Sequence, residues 1–412
     1  MDRQQLQKRT VATVMAANAS GYAGFVAVVA VAALLASEMT GNDSIAGIPA
    51  AAATLGTAFA AAPLAQRSKR YGRRVGLRLG YLVAVIGCAA AFVAGQLDLF
   101  WLLVVAMAAM GVGNTSNLQN RFVAADLADE HMRARSIAMV VWVGTVGAVI
   151  GSPSAAWVNR IGTGFGIHEW VTPALLGVVG FAAAGLIINT WLRPDPLEVA
   201  GGIDPEAPRY NPIHGVSRTL RVVWPNLGAR LAIVAMAVSQ MAMVAVMTMT
   251  PLQMKDHGQA ELSTLVIAVH IFGMFGLAPL IGRWADRFGR IRSLQVGALI
   301  LAAGTVSVVI AGYVPALMFI GLFLLGVGWS VALISGSALL TESLPEVHRV
   351  DAQGLADVMM SLLGATAAFS SGFVKAAVGY EWLANFATAA AVLILIGAIR
   401  INARLAISRF PA

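Results

Sequence analysis

Long apolar stretches alternate with short polar turns along the whole chain. An α-helix rises about 1.5 Å per residue, so an apolar run of about 20 residues crosses roughly 30 Å of hydrocarbon. The pattern predicts twelve spans, six in each half, at 12–36, 44–65, 76–95, 99–120, 136–158, 171–192, 228–252, 262–282, 293–312, 315–341, 353–378 and 382–400. The sequence therefore predicts an all-α membrane protein with twelve transmembrane helices.

The composition agrees with this prediction. The 412 residues are 58% hydrophobic and 12% charged, with a mean hydropathy of +0.77, which is too apolar for a soluble fold. A single cysteine, Cys88, leaves no disulfide framework and no paired-thiol metal site. Met1 to Thr10 is charged and leads into a long apolar run, so we expect an uncleaved first helix.

Two short charged turns indicate that the chain is duplicated. The turn AQRSKRYGRR at 65–74 corresponds to GRWADRFGRIR at 282–292, and the triplet Gly-Val-Gly at 111–113 recurs at 326–328. Repeats of this length in membrane proteins form two helical halves around a midplane site. We therefore expect two pseudo-symmetric six-helix bundles. Their predicted ranges are 1–193 and 227–412, joined by a proline-rich linker at 194–226.

The second charged turn contains the pattern G-x-x-x-D-R-x-G-R, filled by Gly282, Asp286, Arg287, Gly289 and Arg290. This pattern resembles the cytoplasmic loop signature of the major facilitator superfamily of secondary transporters. The first-half copy keeps Gly72 and Arg73 but has Ala65 in place of the first glycine and Lys69 in place of the aspartate. The resemblance implies alternating-access transport of a small solute, with these loops controlling the conformational change.

The net charge of +8 is explained by orientation rather than by nucleic-acid binding. With the amino terminus inside, only Arg160, Lys255 and Lys375 of the 28 basic residues lie outside. The positive-inside rule therefore predicts cytoplasmic termini and a cytoplasmic linker. We expect a monomer, multi-pass in a bacterial-type cytoplasmic (plasma) membrane, with the lipid bilayer and a small molecule or metal ion as partners.

The fourth predicted span is the most polar of the first half. Its amide and hydroxyl side chains cannot all face lipid, because each unsatisfied polar group there costs several kcal/mol. We expect them to line the translocation path, and the set comprises Asn114, Thr115, Ser116, Asn117, Gln119 and Asn120.

Three charged residues are candidates for a gate, a coupling site or a structural ion pair: Arg121, Asp126 five residues later, and Asp357.

The seventh and eighth spans carry the strongest candidate chemistry. Spacings of three and four residues place one stripe of side chains on a single helix face: Met236, Gln240, Met243, Met247, Thr250 and Met254. His270 and Met274 are one turn apart on the next span. A rise of 1.5 Å per residue puts Met243 about 10 Å and His270 about 12 Å below the outer surface. Thioether and imidazole groups suit Cu(I), although methionine is also a common apolar filler.

The Met-xxx-Met and His-xxx-Met pairs are similar to a superfamily branch of bacterial copper importers that serve cytochrome oxidase assembly. By that resemblance Met243, Met247, His270 and Met274 would bind copper, with Asn114, Asn117 and Gln240 as further substrate contacts. Relatives of that branch carry organic solutes, so an organic solute or drug stays an open alternative. Gly147, Gly151 and Pro153 partly resemble an exporter signature, so a proton-coupled transporter or exporter of such a solute, including an antiporter, stays an alternative.

No enzymatic activity is expected. The Gly111-Val112-Gly113 triplet lacks the third glycine of a nucleotide-binding fingerprint and lies in a predicted span. No cofactor is expected, and copper enters only as a possible substrate. A transporter-like sensor that binds solute without turnover is a further alternative. A sensor would normally carry a sizeable soluble domain, whereas the tail from Asn402 is short.

Overall fold

A computed structural model describes residues 2–42, 45–168, 170–207, 212–311 and 314–407. Linker residues 208–211 lie outside the described part. No β-strand occurs in the described ranges. The α-helices are α1 (Arg3–Thr40), α2 (Ile48–Tyr71), α3 (Arg73–Gln96), α4 (Phe100–Asp126), α5 (Arg133–Gly164), α6 (Pro173–Trp191), α7 (Pro196–Val199), α8 (Pro212–Val223), α9 (Leu227–Asp256), α10 (Ser263–Ile271), α11 (Ala278–Phe288), α12 (Arg290–Ala311), α13 (Pro315–Ser343), α14 (Glu346–Val378) and α15 (Tyr380–Ile407).

Twelve helical segments in the described ranges are long and apolar enough to cross a membrane, as the sequence predicted. Most of them extend beyond the predicted bounds, because the helices continue past the apolar runs into the polar turns. The eighth segment, Leu265–Phe288, is interrupted by a π-helical turn at Phe272–Gly276. The sequence predicted a span at 262–282 with His270 and Met274 one turn apart. The π turn corrects this expectation, because it changes the angle between these two side chains around the helix axis.

The described chain divides into two compact units. Unit 1 comprises Met1–Ala128, Val143–Arg218 and Glu346–Val358. Unit 2 comprises Asp129–Trp142, Thr219–Pro345 and Met359–Ala412, of which residues 408–412 are outside the described ranges. Each unit thus includes the first turns of one helix, α5 or α14, whose remainder belongs to the other unit. The proposed division into 1–193, 194–226 and 227–412 stays a prediction.

The two units repeat one packing pattern. In unit 1, α1 packs on α6, α6 on α3, α3 on α4, and α4 on α2. In unit 2, α9 packs on α15, α15 on α12, α12 on α13, and α13 on α10 with its π turn. The order of partners is the same when α9 is matched to α1 and α13 to α4. The duplication seen in the sequence therefore corresponds to two units with the same order of helix packing.

The repeated Gly-Val-Gly triplet allows the close helix approach in both units. A methyl group on Gly326 would lie 2.5 Å from the carbonyl oxygen of His270 on α10, and one on Gly111 would collide with the carbonyl oxygen of Ala53 on α2. Only glycine permits helix backbones to approach so closely. The triplet is therefore a packing device of α4 and α13.

Candidate functional site

Four polar side chains meet inside unit 1, and we call them the amide cluster: Asn18 of α1, Tyr81 of α3, and Asn117 and Asn120 of α4. The hydroxyl of Tyr81 donates to Oδ1 of Asn117 at 3.1 Å. Nδ2 of Asn120 donates to that hydroxyl at 2.7 Å and to Oδ1 of Asn18 at 3.4 Å. All four residues are buried, so the cluster is a polar centre within an apolar bundle.

The hydrogen-bonding capacity of the amide cluster is only partly used. Nδ2 of Asn117 and Oδ1 of Asn120 are buried and have no hydrogen-bond partner among the described residues. The same holds for Oδ1 of Asn114, one turn along α4 from Asn117. Oε1 of Gln119 is likewise buried without a partner among the described residues. One amide donor group and three acceptors of this helix therefore remain for a ligand or for water.

Three other polar residues of α4 donate hydrogen bonds to neighbouring helices, and the expectation that the whole set lines a path stays a prediction. The hydroxyl of Thr115 donates to the carbonyl of Thr57 at 2.9 Å, and that of Ser116 donates to the carbonyl of Leu77 at 3.2 Å. Nε2 of Gln119 donates to the carbonyl of Ala61 at 3.1 Å. A helical carbonyl has a second lone pair that can accept such a bond. These three residues connect α4 to α2 and α3.

Arg121 does not pair with the nearby Asp126. Its Nη2 donates to Oδ1 of Asp357 at 2.5 Å, and both side chains are at most 3% exposed. Asp126 instead accepts two bonds from Arg73, at 2.9 and 3.0 Å. Both ion pairs lie within unit 1, because the first turns of α14 belong to it. Long sequence separation explains why neither pair was predictable from spacing.

In unit 2 the candidate Gln240 contacts an aromatic pair. Nε1 of Trp329 donates to Oε1 of Gln240 at 2.6 Å, which links α13 to α9. The ring of Phe275, in the π turn, meets the Trp329 ring edge to face with centroids 5.8 Å apart. Trp329 occupies the place that Asn114 has in the first repeat, so the two units present different chemistry at this position.

His270 is completely buried where α10 packs on α13. Its Nδ1 lies 2.7 Å from the carbonyl oxygen of Leu322. A carbonyl oxygen only accepts, so Nδ1 carries the hydrogen, and in the neutral ring Nε2 then carries a lone pair. Nε2 has no hydrogen-bond partner among the described residues.

The methionine stripe of α9 is largely a packing surface. Met236 and Met243 are buried, whereas Met247 is half-buried, as is Met274 in the π turn. The sulfur of Met236 accepts a bond of 3.4 Å from the hydroxyl of Ser337 on α13. Further along the stripe, Thr250 shares a hydrogen bond of 2.8 Å with Tyr380 of α15. These contacts account for Met236 and Thr250, while Met243 and Met247 lie between them.

Residues of the second charged turn connect helix ends within unit 2. Asp286 accepts from the backbone N–H groups of Ala134 and Arg135 at 3.0 and 2.9 Å, so it caps the first turn of α5. Arg290 lies 2.8 Å from the Asp286 carboxylate and 2.8 Å from Glu342 of α13. The acid and the arginine of the signature thus connect α11, α12, α5 and α13.

Positive backbone angles explain the two signature glycines. Gly289 has a φ of 93° and Gly72 a φ of 91°, a region that residues with a Cβ rarely adopt. Each separates two consecutive helices, α11 from α12 and α2 from α3. Gly282 has a different role, since a methyl group there would lie 2.6 Å from the Cβ of Ala138 on α5. Arg287 is exposed, with its guanidinium 5.4 Å from the centre of the Phe288 ring.

The first charged turn has a different but equally connected network in unit 1. Lys69, which stands where the signature has aspartate, is buried and lies 2.6 Å from Asp351 of α14. Asp195 caps α3 by accepting from the backbone N–H groups of Arg73 and Arg74 at 3.1 and 2.8 Å. Arg73 also donates to Gln353 at 2.6 Å. The partners Asp195, Asp351 and Gln353 were missed from the sequence, which offers no local signal for them.

The glycines that partly resembled an exporter signature pack against α1. A methyl group on Gly147 would lie 2.9 Å from the ring of Tyr22, and one on Gly151 would lie 2.6 Å from the carbonyl of Ala23. Both glycines allow α5 to approach α1 closely. Their spacing is explained by packing, with Pro153 inside the same helix.

Comparison with known proteins identifies relatives over nearly the whole chain. Two MFS-type transporters of Bacillus subtilis, YddS and YdeG, are 34% and 33% identical over 92% and 91% of this chain, and the matches span 87% of each relative. The riboflavin transporter RfnT of Brucella anthropi is 27% identical over 91% of this chain and 92% of its own length.

Solved structures show the same fold. The human organic anion transporter MFSD10 matches with a TM-score of 0.79 at 14% identity, covering 95% of this chain and 99% of that one. A bacterial homologue of the iron transporter ferroportin matches with a TM-score of 0.75 at 13% identity, covering 96% of this chain and 99% of that one. The profile of the Major Facilitator Superfamily matches residues 13–276 and 231–407. This chain, a multi-pass membrane protein, belongs to the Major Facilitator Superfamily.

Proposed function

We propose that this chain is a secondary active transporter that moves a small polar organic solute across the cytoplasmic membrane by alternating access. The observation that carries the proposal is the amide cluster, where buried amide atoms of Asn117 and Asn120 have no partner among the described residues. A buried polar group without a partner costs about 1 to 3 kcal/mol. Water or a solute with complementary groups removes that cost.

The chemistry of the cluster favours a neutral, hydrogen-bonding ligand. Asn117 offers a donor and Asn120 offers an acceptor, whereas the charge of Arg121, the next residue of α4, is paired with that of Asp357. A planar heterocycle with amide-like edges carries both the acceptor and the donor that these two side chains require. The similarity to a riboflavin transporter supports this solute class and makes riboflavin the first compound to test.

Transport assays with matched variants test the proposal. Uptake and counterflow of labelled riboflavin and a panel of other organic solutes would be measured in proteoliposomes. For the transported solute, Asn117→Ala and Asn120→Ala should each raise the KM by about tenfold, since each removes one hydrogen bond to the solute. Ser116→Ala is the control, because its hydroxyl already bonds to the carbonyl of Leu77.

Counterflow distinguishes transport from sensing. A transporter exchanges labelled solute for unlabelled solute, whereas a sensor binds the solute without exchange. No exchange for any solute, or an equal effect of all three substitutions, would overturn the proposal. A dependence of uptake on an imposed pH gradient would identify proton coupling, and the sign of that dependence would separate symport from antiport.

Copper uptake is the second candidate, favoured by the environment of His270. Metal-binding imidazoles usually donate one ring N–H to a carbonyl or carboxylate and bind with the other nitrogen. His270 has this arrangement, with Nδ1 held by Leu322 and Nε2 unpartnered among the described residues. Met243, Met247 and Met274 would supply the sulfur ligands that Cu(I) prefers. The same nitrogen would equally accept a hydrogen bond from an organic solute.

A further inference from the structure

The basic residues of the first charged turn fall into two sets with different surroundings. Lys69 and Arg73 are buried and paired with Asp351 and Asp126. Arg67 is exposed and Arg70 is half-buried. Within the described residues, no carboxylate lies within 4.0 Å of the Arg67 or Arg70 guanidinium, and Nε of Arg70 has no hydrogen-bond partner. Arg67 and Arg70 therefore carry positive charges that no neighbouring carboxylate of the described residues compensates.

One exposed aromatic ring holds these two guanidinium groups. The guanidinium carbons of Arg67 and Arg70 lie 5.2 and 5.4 Å from the centre of the Tyr71 ring, which is 52% exposed. Each contact is a cation–π interaction at a distance where the attraction is significant. Neither guanidinium has a carboxylate beside it, so an anion at this surface would be attracted by both positive charges.

The position of the ring along the chain indicates the kind of anion. Tyr71 is the last residue of α2, a helix long and apolar enough to cross the membrane. The ends of such helices lie at the level of the lipid headgroups, where tyrosine is enriched and basic residues attract anionic lipids. A phosphodiester with its acyl chains beside α2 would place its charge at this level.

The second charged turn does not repeat this arrangement. Phe288, at the position of Tyr71, packs against Trp284 with centroids 4.2 Å apart and the ring planes tilted by 36°. Among the described residues, Arg287 alone lies over the Phe288 ring, at 5.4 Å. The side chains of Phe288 and Trp284 are 40% and 45% exposed, and neither ring carries a hydroxyl group. The site with two arginines is therefore specific to the first repeat.

We propose that Arg67, Arg70 and Tyr71 form a binding site for the headgroup phosphate of an anionic phospholipid. The guanidinium groups of Arg67 and Arg70 bind the phosphate oxygens, and the Tyr71 ring fixes the spacing of the two arginines. The proposal concerns a lipid site on the surface of unit 1 and is independent of which solute is transported.

Lipid binding to the full chain in detergent tests this site. Native mass spectrometry would measure the affinity for phosphatidylglycerol, phosphatidylcholine and inorganic phosphate. The double variant R67Q/R70Q should bind phosphatidylglycerol about tenfold more weakly. The control R283Q/R292Q removes two exposed arginines of the second turn, neither of which lies over a ring, and should leave that affinity unchanged.

Three outcomes would overturn the proposal. Equal weakening in both double variants would indicate attraction to basic surface in general. Equal affinity of the unmodified protein for phosphatidylcholine would remove the role of the net negative charge. Competition by inorganic phosphate at the same concentration as the lipid would show a site for a free anion. The variant Tyr71→Leu separates the role of the ring from that of the two arginine charges. It should weaken phosphatidylglycerol binding although both charges remain.

Discussion

Lys69 of α2 and Asp351 of α14 form an ion pair of 2.6 Å, although they are far apart in sequence. Lys69 stands where the family signature has aspartate, so the charge at this position is inverted and the acid is supplied by α14. By itself, the broken signature predicts that Lys69→Ala has a mild effect. A buried lysine paired with a carboxylate changes that expectation.

Exchanging the two charges tests this pair. Lys69→Asp places two carboxylates together, and Asp351→Lys places two ammonium groups together, so each single variant should lose most transport. The double variant K69D/D351K restores opposite charges and should recover a large part of the activity. Lys69 is buried and Asp351 is 28% exposed, so losing one partner should cost less than the roughly 3 kcal/mol of a fully buried pair. Transport rates at matched expression provide the measurement, and a double variant no better than the singles would contradict the prediction.

Replacing Asp286 by Asn should impair transport more than membrane insertion. The carboxylate accepts two backbone N–H bonds at the start of α5, whereas an amide has only one accepting atom. We expect a loss of about 1 kcal/mol, because the amide keeps one of the two backbone bonds and lacks the negative charge that faces the helix end and Arg290. Transport and membrane abundance would be compared with Arg283→Gln, an exposed change on the same helix. Equal transport by both variants would show that the cap is dispensable.

The copper hypothesis predicts a pattern along α9. His270→Leu, Met243→Leu and Met247→Leu should abolish copper accumulation, while Met241→Leu and Met249→Leu, off the stripe, should be nearly silent. Leucine nearly preserves the volume of methionine, so packing alone should change stability by less than about 1.5 kcal/mol. Cellular copper content with and without expression is the measurement. Normal accumulation in the M243L/M247L variant would favour the organic-solute proposal.

The orientation in the membrane is open to a direct test. The positive-inside rule predicts cytoplasmic termini, a cytoplasmic linker and an external turn at Lys255 to Glu261. An alkaline phosphatase fusion should therefore be inactive after Pro205 and active after His257. The opposite result at either position would show that the distribution of basic residues is misleading here.

Hydrophobic patterning alone determined the class of fold. Helix is the hydrogen-bonded structure that lets a single apolar run cross lipid, so twelve such runs predicted twelve spans, and the repeated turns predicted the duplicated packing. Local geometry was also encoded, because Gly72 and Gly289 occupy backbone angles that other residues disfavour. The twelve spans depend on the lipid solvent, and the glycine backbone angles depend on neighbours in sequence. Both kinds of feature can therefore be inferred without coordinates.

Only the tertiary structure decided which side chains are partners. Arg121 pairs with Asp357 rather than Asp126, and His270 bonds to Leu322 where α10 packs on α13. The π turn at Phe272–Gly276 likewise has no signature in the hydrophobic pattern. Partner choice depends on which helix faces meet and at what height, and these depend on the packing of the whole bundle. Periodicity defines the face of each helix but not the residue that it contacts.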